Sequence, residues 1–152
     1  SQSFYQIGEL VGCLGKLIAV ARRELDIEPF IYMQVPPTTL KLWAFGTGAK
    51  KKDTAYLLDI AEIFGRSFRQ DDLADSFMLA KFAEEFICSI LSRGFSDRMK
   101  IALVSTKLKK KLKLTTKKKI MELSDEDFFR DVALSRLEDF SIIQVGDIHD
   151  MR

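Results

Sequence analysis

Two aspartates at the beginning of a predicted helix are the residues best suited to hold a metal ion. Asp72 and Asp75 stand three positions apart, so both carboxylates project from one helix face and can share a cation. A site built only from oxygen ligands suits Mg²⁺ or Mn²⁺. A second interpretation is open, because capping and the helix dipole also favour acidic residues at a helix N-terminus.

A glycine-rich turn followed by lysines is the next feature that could do chemistry. Residues 46–52 read GTGAKKK. The glycines allow the backbone around Thr47 to come close to a phosphate, and Lys50, Lys51 and Lys52 bring positive charge to the start of the following helix. The spacing differs from that of a Walker phosphate loop. The alternative is an ordinary solvated turn between two helices.

A run of lysines lies further along the chain. Residues 107–119 contain eight lysines, among them Lys107, Lys109, Lys110 and Lys111, with leucines between them. If these lysines contact phosphates, they add sequence-independent, salt-dependent affinity for DNA. The alternative is a solvated and partly disordered segment.

The remaining candidates for chemistry are two cysteines and one histidine. Cys13 and Cys88 have apolar neighbours in the sequence and no second cysteine at metal-ligand spacing, which predicts buried thiols in a reducing compartment. His149 lies beside acidic residues near the end of the sequence, and we expect it at the surface.

Apolar residues at helical spacing predict the elements that position these side chains. The long helix that begins at Asp71 is expected to end near Arg93, with Leu73 among its apolar positions. Other helices are predicted near residues 3–24, 38–45, 53–65 and 124–137. The first of them carries a ridge of glycines, which predicts close approach to a sheet or to a partner helix: Gly8, Gly12 and Gly15.

Strands are harder to find in this sequence. Residues 29–36 (PFIYMQVP) are apolar, aromatic and β-branched between prolines, which is typical of a strand. One strand cannot form a sheet, because its unpaired backbone groups would be costly to bury. Either residues 99–104 and 140–145 supply further strands, or strands that belong upstream are absent.

The order of these motifs resembles the RuvC family of crossover-junction endonucleases, which belong to the RNase H-like superfamily. The resemblance rests on residues 35–52 (VPPTTLKLWAFGTGAKKK), a following helix, and residues 71–80 (DDLADSFMLA). Residues 2–12 (QSFYQIGELVG) also look like the first long helix of that family. The resemblance covers residues 1 to 85, and its three separated motifs fall in the order and spacing of the family.

This resemblance implies an α/β, RNase H-like fold with a mixed five-stranded sheet, usually as a homodimer on a four-way DNA junction. The implied activity is metal-dependent hydrolysis of phosphodiester bonds that leaves a 5′-phosphate and a 3′-hydroxyl. Asp72 and Asp75 match two carboxylates that hold Mg²⁺ or Mn²⁺ in the family. Lys52 matches the lysine that contacts the scissile phosphate, and Lys50 and Lys51 would be neighbouring phosphate contacts.

The sequence departs from the family pattern in one large respect. The family has a further Asp in its first strand and a Glu at the end of its fourth, and no residue here matches either, since Glu9 lies inside the first predicted helix. We therefore expect an N-terminally incomplete RuvC-like domain in residues 1–95, inactive alone, and a helical, charged extension in residues 96–152.

Two other interpretations are open. A RuvC-derived protein without catalysis would bind nucleic acid or assemble within a larger complex that supplies missing elements. An unrelated α-rich domain would require the order of the motifs to be a coincidence.

Composition sets the outer limits of these interpretations. A chain of 152 residues with 47% hydrophobic residues is long enough for one domain with a real core. The net charge of +2 argues against a uniformly basic nucleic-acid-binding protein, although the charge is unevenly placed. No apolar run approaches the ~20 residues needed to cross a bilayer, and no signal peptide is recognisable. We expect a soluble, intracellular protein.

Overall fold

The described part of the chain is almost entirely helical. The computed structural model describes residues 32–143, together with Leu17, Val20 and residues 23–25. Within that part, strand pairing is limited to one strand of two residues and one of three. The expected α/β, RNase H-like fold with its five-stranded sheet is therefore wrong for this chain. Residues 99–104, which could have supplied a strand, lie almost wholly in a helix.

The helices and strands follow one another along the chain with short connections. In chain order they are β1 Tyr32–Met33, α1 Pro37–Phe45, α2 Tyr56–Phe64, α3 Asp71–Ser92, α4 Asp97–Leu103, α5 Thr106–Lys111, α6 Lys117–Met121, α7 Asp125–Phe128, a π-helix Phe129–Ala133, α8 Leu134–Phe140 and β2 Ser141–Ile143. The helices predicted near residues 38–45, 53–65, 71–93 and 124–137 are confirmed. No helix among the described residues is long and apolar enough to cross a membrane.

Two compact units share these elements. One comprises Ser1–Gln34 together with Leu137–Arg152, and its described residues pair β1 with β2 in an antiparallel manner. The strands predicted for residues 29–36 and 140–145 are thus confirmed only over β1 and β2. The glycine ridge of the first predicted helix lies outside the described residues, and the domain boundary expected between residues 95 and 96 stays a prediction.

The second unit, Val35–Arg136, has its core around α3. The helix α1 packs against α3 and α4, and α2 packs against α3. Trp43 of α1 meets Phe82 of α3 edge-on, with ring centroids 5.6 Å apart. A fully buried Phe side chain contributes roughly 1.5–3 kcal/mol, so α3 is firmly held along its buried positions: Ala74, Met78, Phe82, Phe86 and Ser89.

Short helices in residues 95–136 begin with serine or threonine caps. In each case the side-chain oxygen accepts the backbone N–H three positions later, at 3.1–3.3 Å: Ser96, Ser105, Thr116 and Ser124. Such a cap stabilises a helix start by about 1 kcal/mol. The cap at Ser96 explains why residues 99–104 do not form the possible strand, and the cap at Ser124 begins the helix predicted near residues 124–137.

Left-handed residues end the three helices that surround the candidate site. Gly46 ends α1 with a φ of 74°, and Gly65 ends α2 with a φ of 65°. Glycine adopts this conformation without the steric penalty of a Cβ atom. Arg93, with a φ of 56°, occupies the same position after α3.

Candidate functional site

Lys52 and Asp75 form an ion pair although they are 23 residues apart in the sequence. Lys52 lies on the loop between α1 and α2, and Asp75 lies on the second turn of α3. Gly46 has a left-handed backbone conformation, so the chain turns sharply after α1. The Gly46 N–H still donates to the Leu42 carbonyl oxygen at 2.9 Å and closes the helix. The structure therefore brings together the lysine and one of the two aspartates that the sequence singled out.

Asp75 uses both oxygens of its carboxylate in this contact. Oδ2 accepts from the Lys52 ammonium, and Oδ1 accepts from the Tyr56 hydroxyl at 2.5 Å. Capping of α3 does not explain Asp75, because the cap residue of that helix is Gln70. We refer to these three side chains as the Lys52–Asp75–Tyr56 cluster.

Tyr56 is the member of the cluster that sequence reasoning missed. It is the first residue of α2 and is only 1% exposed. Burial, followed by the hydrogen bond to Asp75 and the charges of Asp75 and Asp71, raises the pKa of Tyr56 well above its ordinary value. Its hydroxyl therefore stays protonated and donates to Asp75. A tyrosine on an apolar helix face was the available signal, because a buried hydroxyl needs a partner.

The charges around Lys52 keep its ammonium protonated. The hydrogen bond with Asp75 raises the pKa of Lys52 above 10.5, against an opposing effect of desolvation. The negative charges of Asp75, Asp71 and Asp72 add to the rise, so all three carboxylates lie within electrostatic reach of this lysine. Asp72 is exposed, and its carboxylate has no hydrogen bond or ion pair with any described residue.

The cluster lies in the wall of an open cavity of about 440 Å³ in the Val35–Arg136 unit. Lys41, Lys52 and Asp75 bring charged groups to the wall, and most of the other lining residues are apolar. The side chains of Lys52 and Asp75 are 38% and 31% exposed, so solutes can reach both of them. The residues lining the cavity are Val35, Pro37, Leu40, Lys41, Lys52, Tyr56, Asp75, Ser76 and Leu79.

The acidic residues at the start of α3 fit an oxygen-ligated cation only in part. Asp72 and Asp75 are hard oxygen donors of the kind that Mg²⁺ and Mn²⁺ prefer. Asp75, however, is already neutralised by Lys52, so a metal ion would have to displace that ammonium. Within the described part of the chain, no group of three or more His, Cys, Asp or Glu side chains is placed to hold a metal ion.

The other predicted phosphate contacts around the glycine turn differ in their surroundings. Lys50 forms an ion pair with Asp59 of α2, and this contact, opposed by desolvation, raises the pKa of Lys50. Lys51 is exposed and has no ion pair with a described residue. The Thr47 hydroxyl oxygen accepts from the backbone N–H of Ala49 at 3.3 Å. Lys51 is thus the lysine of this turn that needs no rearrangement to meet a phosphate.

The remaining sequence candidates lie outside this cluster. The lysines of residues 107–111 are exposed on α5. Cys88 is exposed, which contradicts the buried thiol predicted for it, because its position on α3 faces away from the helix's buried residues. Cys13 and His149 lie outside the described residues.

Comparison with known proteins adds no relative. No family model, no curated protein and no solved structure matches this chain. The resemblance to the RuvC family therefore stays a prediction from the motifs.

Proposed function

We propose that this chain carries the phosphate-binding side of a metal-dependent, structure-specific endonuclease of the RuvC type, which hydrolyses four-way DNA junctions inside the cell. The observation that supports this function best is the Lys52–Asp75–Tyr56 cluster in the wall of an open cavity. A protonated lysine and a carboxylate are in contact there and reach solvent. A lysine ammonium can bind a phosphodiester, and a carboxylate can bind a divalent cation.

Lys52 is the residue that would contact the substrate. Its ammonium, protonated at neutral pH, donates to a non-bridging phosphate oxygen and offsets the charge of that group. To do so it leaves Asp75, while Tyr56 continues to hold the carboxylate in place. A bound Mg²⁺ or Mn²⁺ supplies activation of water and stabilisation of the leaving oxygen. Asp72, exposed one helical turn before Asp75, is the second carboxylate available to such an ion.

Binding of a labelled four-way junction by the full chain, with and without Mn²⁺, tests this proposal. Lys52→Gln is expected to weaken junction binding about tenfold, because one charge-assisted hydrogen bond to phosphate is lost. Lys81→Gln is the matched control, since Lys81 is an exposed lysine on α3 outside the cavity. This control is expected to leave the affinity nearly unchanged.

Asp75→Asn distinguishes the contribution of metal binding from that of phosphate binding. Without metal, this change frees Lys52 and removes a negative charge, so the affinity for the junction is expected to rise. The gain in affinity that Mn²⁺ gives the unchanged chain is expected to disappear. The proposal is wrong if Lys52→Gln binds the junction as tightly as the unchanged chain and Mn²⁺ has no effect on either.

A non-catalytic protein that binds nucleic acid or assembles with partners is the second candidate. It is favoured by the complete use of the Asp75 oxygens by protein donors. In that case Lys52→Gln still weakens DNA binding, but electron paramagnetic resonance detects no Mn²⁺ bound to the unchanged chain. Cleavage distinguishes the two further. We expect this chain alone to leave the junction uncut, and Mg²⁺-dependent nicking that Asp75→Asn abolishes would eliminate the non-catalytic candidate.

A further inference from the structure

A folded stretch of lysines forms a second positively charged surface, outside the Lys52–Asp75–Tyr56 cluster. We call residues 105–121 the lysine segment; it comprises α5, the turn after it and α6. The segment contains no aspartate and no glutamate. It contains eight lysines, all of which are exposed: Lys107, Lys109, Lys110, Lys111, Lys113, Lys117, Lys118 and Lys119.

Buried side chains hold this segment in place. Leu108, Leu114 and Ile120 are 5%, 5% and 3% exposed, so each part of the segment is anchored in the core. Ser105 and Thr116 cap its two helices. The ammonium groups therefore stand on ordered backbone, and a ligand binds them without having to fold the segment first. The alternative of a partly disordered run is wrong.

Most lysines of the segment have no negative partner among the described residues. Lys118 lies 3.9 Å from Glu122, and the other seven form no ion pair with any described residue. Lys107 also stands three and four positions before Lys110 and Lys111, a spacing at which like charges on a helix repel each other. A bound polyanion would relieve this repulsion, which favours a polyanion as the ligand.

The composition of the segment narrows the kind of polyanion. It has no arginine, asparagine or glutamine to make bidentate contacts with base edges in a groove, and lysine, which can also reach guanine, binds phosphate as a point charge. It also has no aromatic residue on which an unpaired base could stack. We infer that the lysine segment binds the phosphodiester backbone of double-stranded DNA without reading its sequence. This extends the proposed function to the arms of the junction, although the residues that carry it are different.

The salt dependence of binding to a plain DNA duplex tests this inference on the full chain. Each phosphate contact adds about 0.9 to the slope of log K against log salt concentration. Lys109→Gln/Lys110→Gln is therefore expected to lower the magnitude of that slope by about 2. Lys109→Arg/Lys110→Arg keeps the charge and is expected to retain the slope.

The matched control is Arg69→Gln/Lys81→Gln, which removes the same charge from two exposed positions outside the segment. It is expected to change the slope little. An unchanged slope in Lys109→Gln/Lys110→Gln overturns the inference, and so does tighter binding of single strands than of the duplex. The inference is also overturned if Lys109→Gln/Lys110→Gln keeps its duplex binding but loses a salt-dependent self-association of the chain. The ligand of the lysine segment would then be an acidic protein surface.

These outcomes are separable from a failure of the proposed function. If Lys52→Gln weakens junction binding while the segment variant keeps its slope, the lysine segment is not a DNA surface and the proposed function stands. If only the segment variant has an effect, the inference stands and the proposed function fails.

Discussion

Lysines in two regions of this molecule meet opposite electrostatic surroundings. Lys50 and Lys52, on the loop after α1, each contact a carboxylate, Asp59 and Asp75. In the lysine segment, seven of eight lysines have no ion pair with a described residue. A paired lysine is fixed at one point and is released only when something competes for its partner. An unpaired group of lysines instead attracts a polyanion over a distance of about one Debye length.

The two regions also differ in what a lost charge costs the fold. An exposed ion pair contributes roughly 0–1 kcal/mol, so the bond between Lys52 and Asp75 alone stabilises little. Tyr56 changes this, because its buried hydroxyl has Asp75 as its acceptor. The lysine segment has no such dependence, since its anchors are aliphatic.

The largest expected effect comes from removing the shared carboxylate. Asp75→Ala leaves the buried Tyr56 hydroxyl without its acceptor and is expected to lower the free energy of unfolding by about 1–3 kcal/mol. Urea denaturation measures this loss. Asp72→Ala, one turn earlier on the same helix, is the control, with an expected loss of about 0.5 kcal/mol from the helix dipole. Equal losses in the two variants would contradict the role given to Tyr56.

An intermediate effect is expected at alkaline pH. The hydrogen bond with Asp75 raises the pKa of Lys52 above 10.5, and burial raises the pKa of Tyr56 above 10.0. The folded chain therefore holds both protons more tightly than the unfolded chain. This contribution to stability is complete below pH 10.0 and is lost as the pH rises through the raised pKa values.

Urea unfolding over the alkaline range measures that loss. In Lys52→Gln/Tyr56→Phe the decline of stability with pH is expected to be shallower than in the unchanged chain. Lys110→Gln, in the lysine segment, is expected to keep the original steepness. If both variants decline alike, the cluster does not differ from the segment in this respect.

The smallest expected effect has the opposite sign. Lys110→Gln removes a repulsive neighbour of Lys107 and is expected to stabilise the fold by about 0.2–0.5 kcal/mol at low salt. The gain is expected to vanish near ~1 M salt, where the Debye length falls to about 3 Å. Lys52→Gln is expected to destabilise under the same conditions. A destabilising effect of both would erase the contrast between the two regions.

The contact between Lys52 and Asp75 was accessible from the sequence, whereas the acceptor of the Tyr56 hydroxyl was not. A glycine turn with lysines and an acidic helix start are local signals, and the resemblance of their order to the RuvC family implied that they share one site. Tyr56 lies on the apolar face of α2, where it and Ile60 are buried. Which acceptor its hydroxyl finds depends on the packing of α2 against α3, which no local pattern reveals.

The fold was the part for which the prediction from the sequence was wrong. Residues 99–104 are apolar except for Lys100 and fit a short strand or a buried helix equally well, and the cap at Ser96 favours the helix. On α3, the apolar Leu73 is 55% exposed, and the small Ala74 beside it occupies the buried position. In the lysine segment the buried residues fall six apart, a spacing of no single helix, so its ordered structure was not apparent.

The length and support of α3 determine which partner in the cluster can move. At 22 residues α3 is about 33 Å long, and its own side chains Phe82 and Phe86 anchor its middle in the core. The first turns of α3 cannot change orientation without displacing the buried part of the helix. Asp75 is therefore expected to keep its position when the ion pair opens, and Lys52, on the loop after Gly46, is the group that moves.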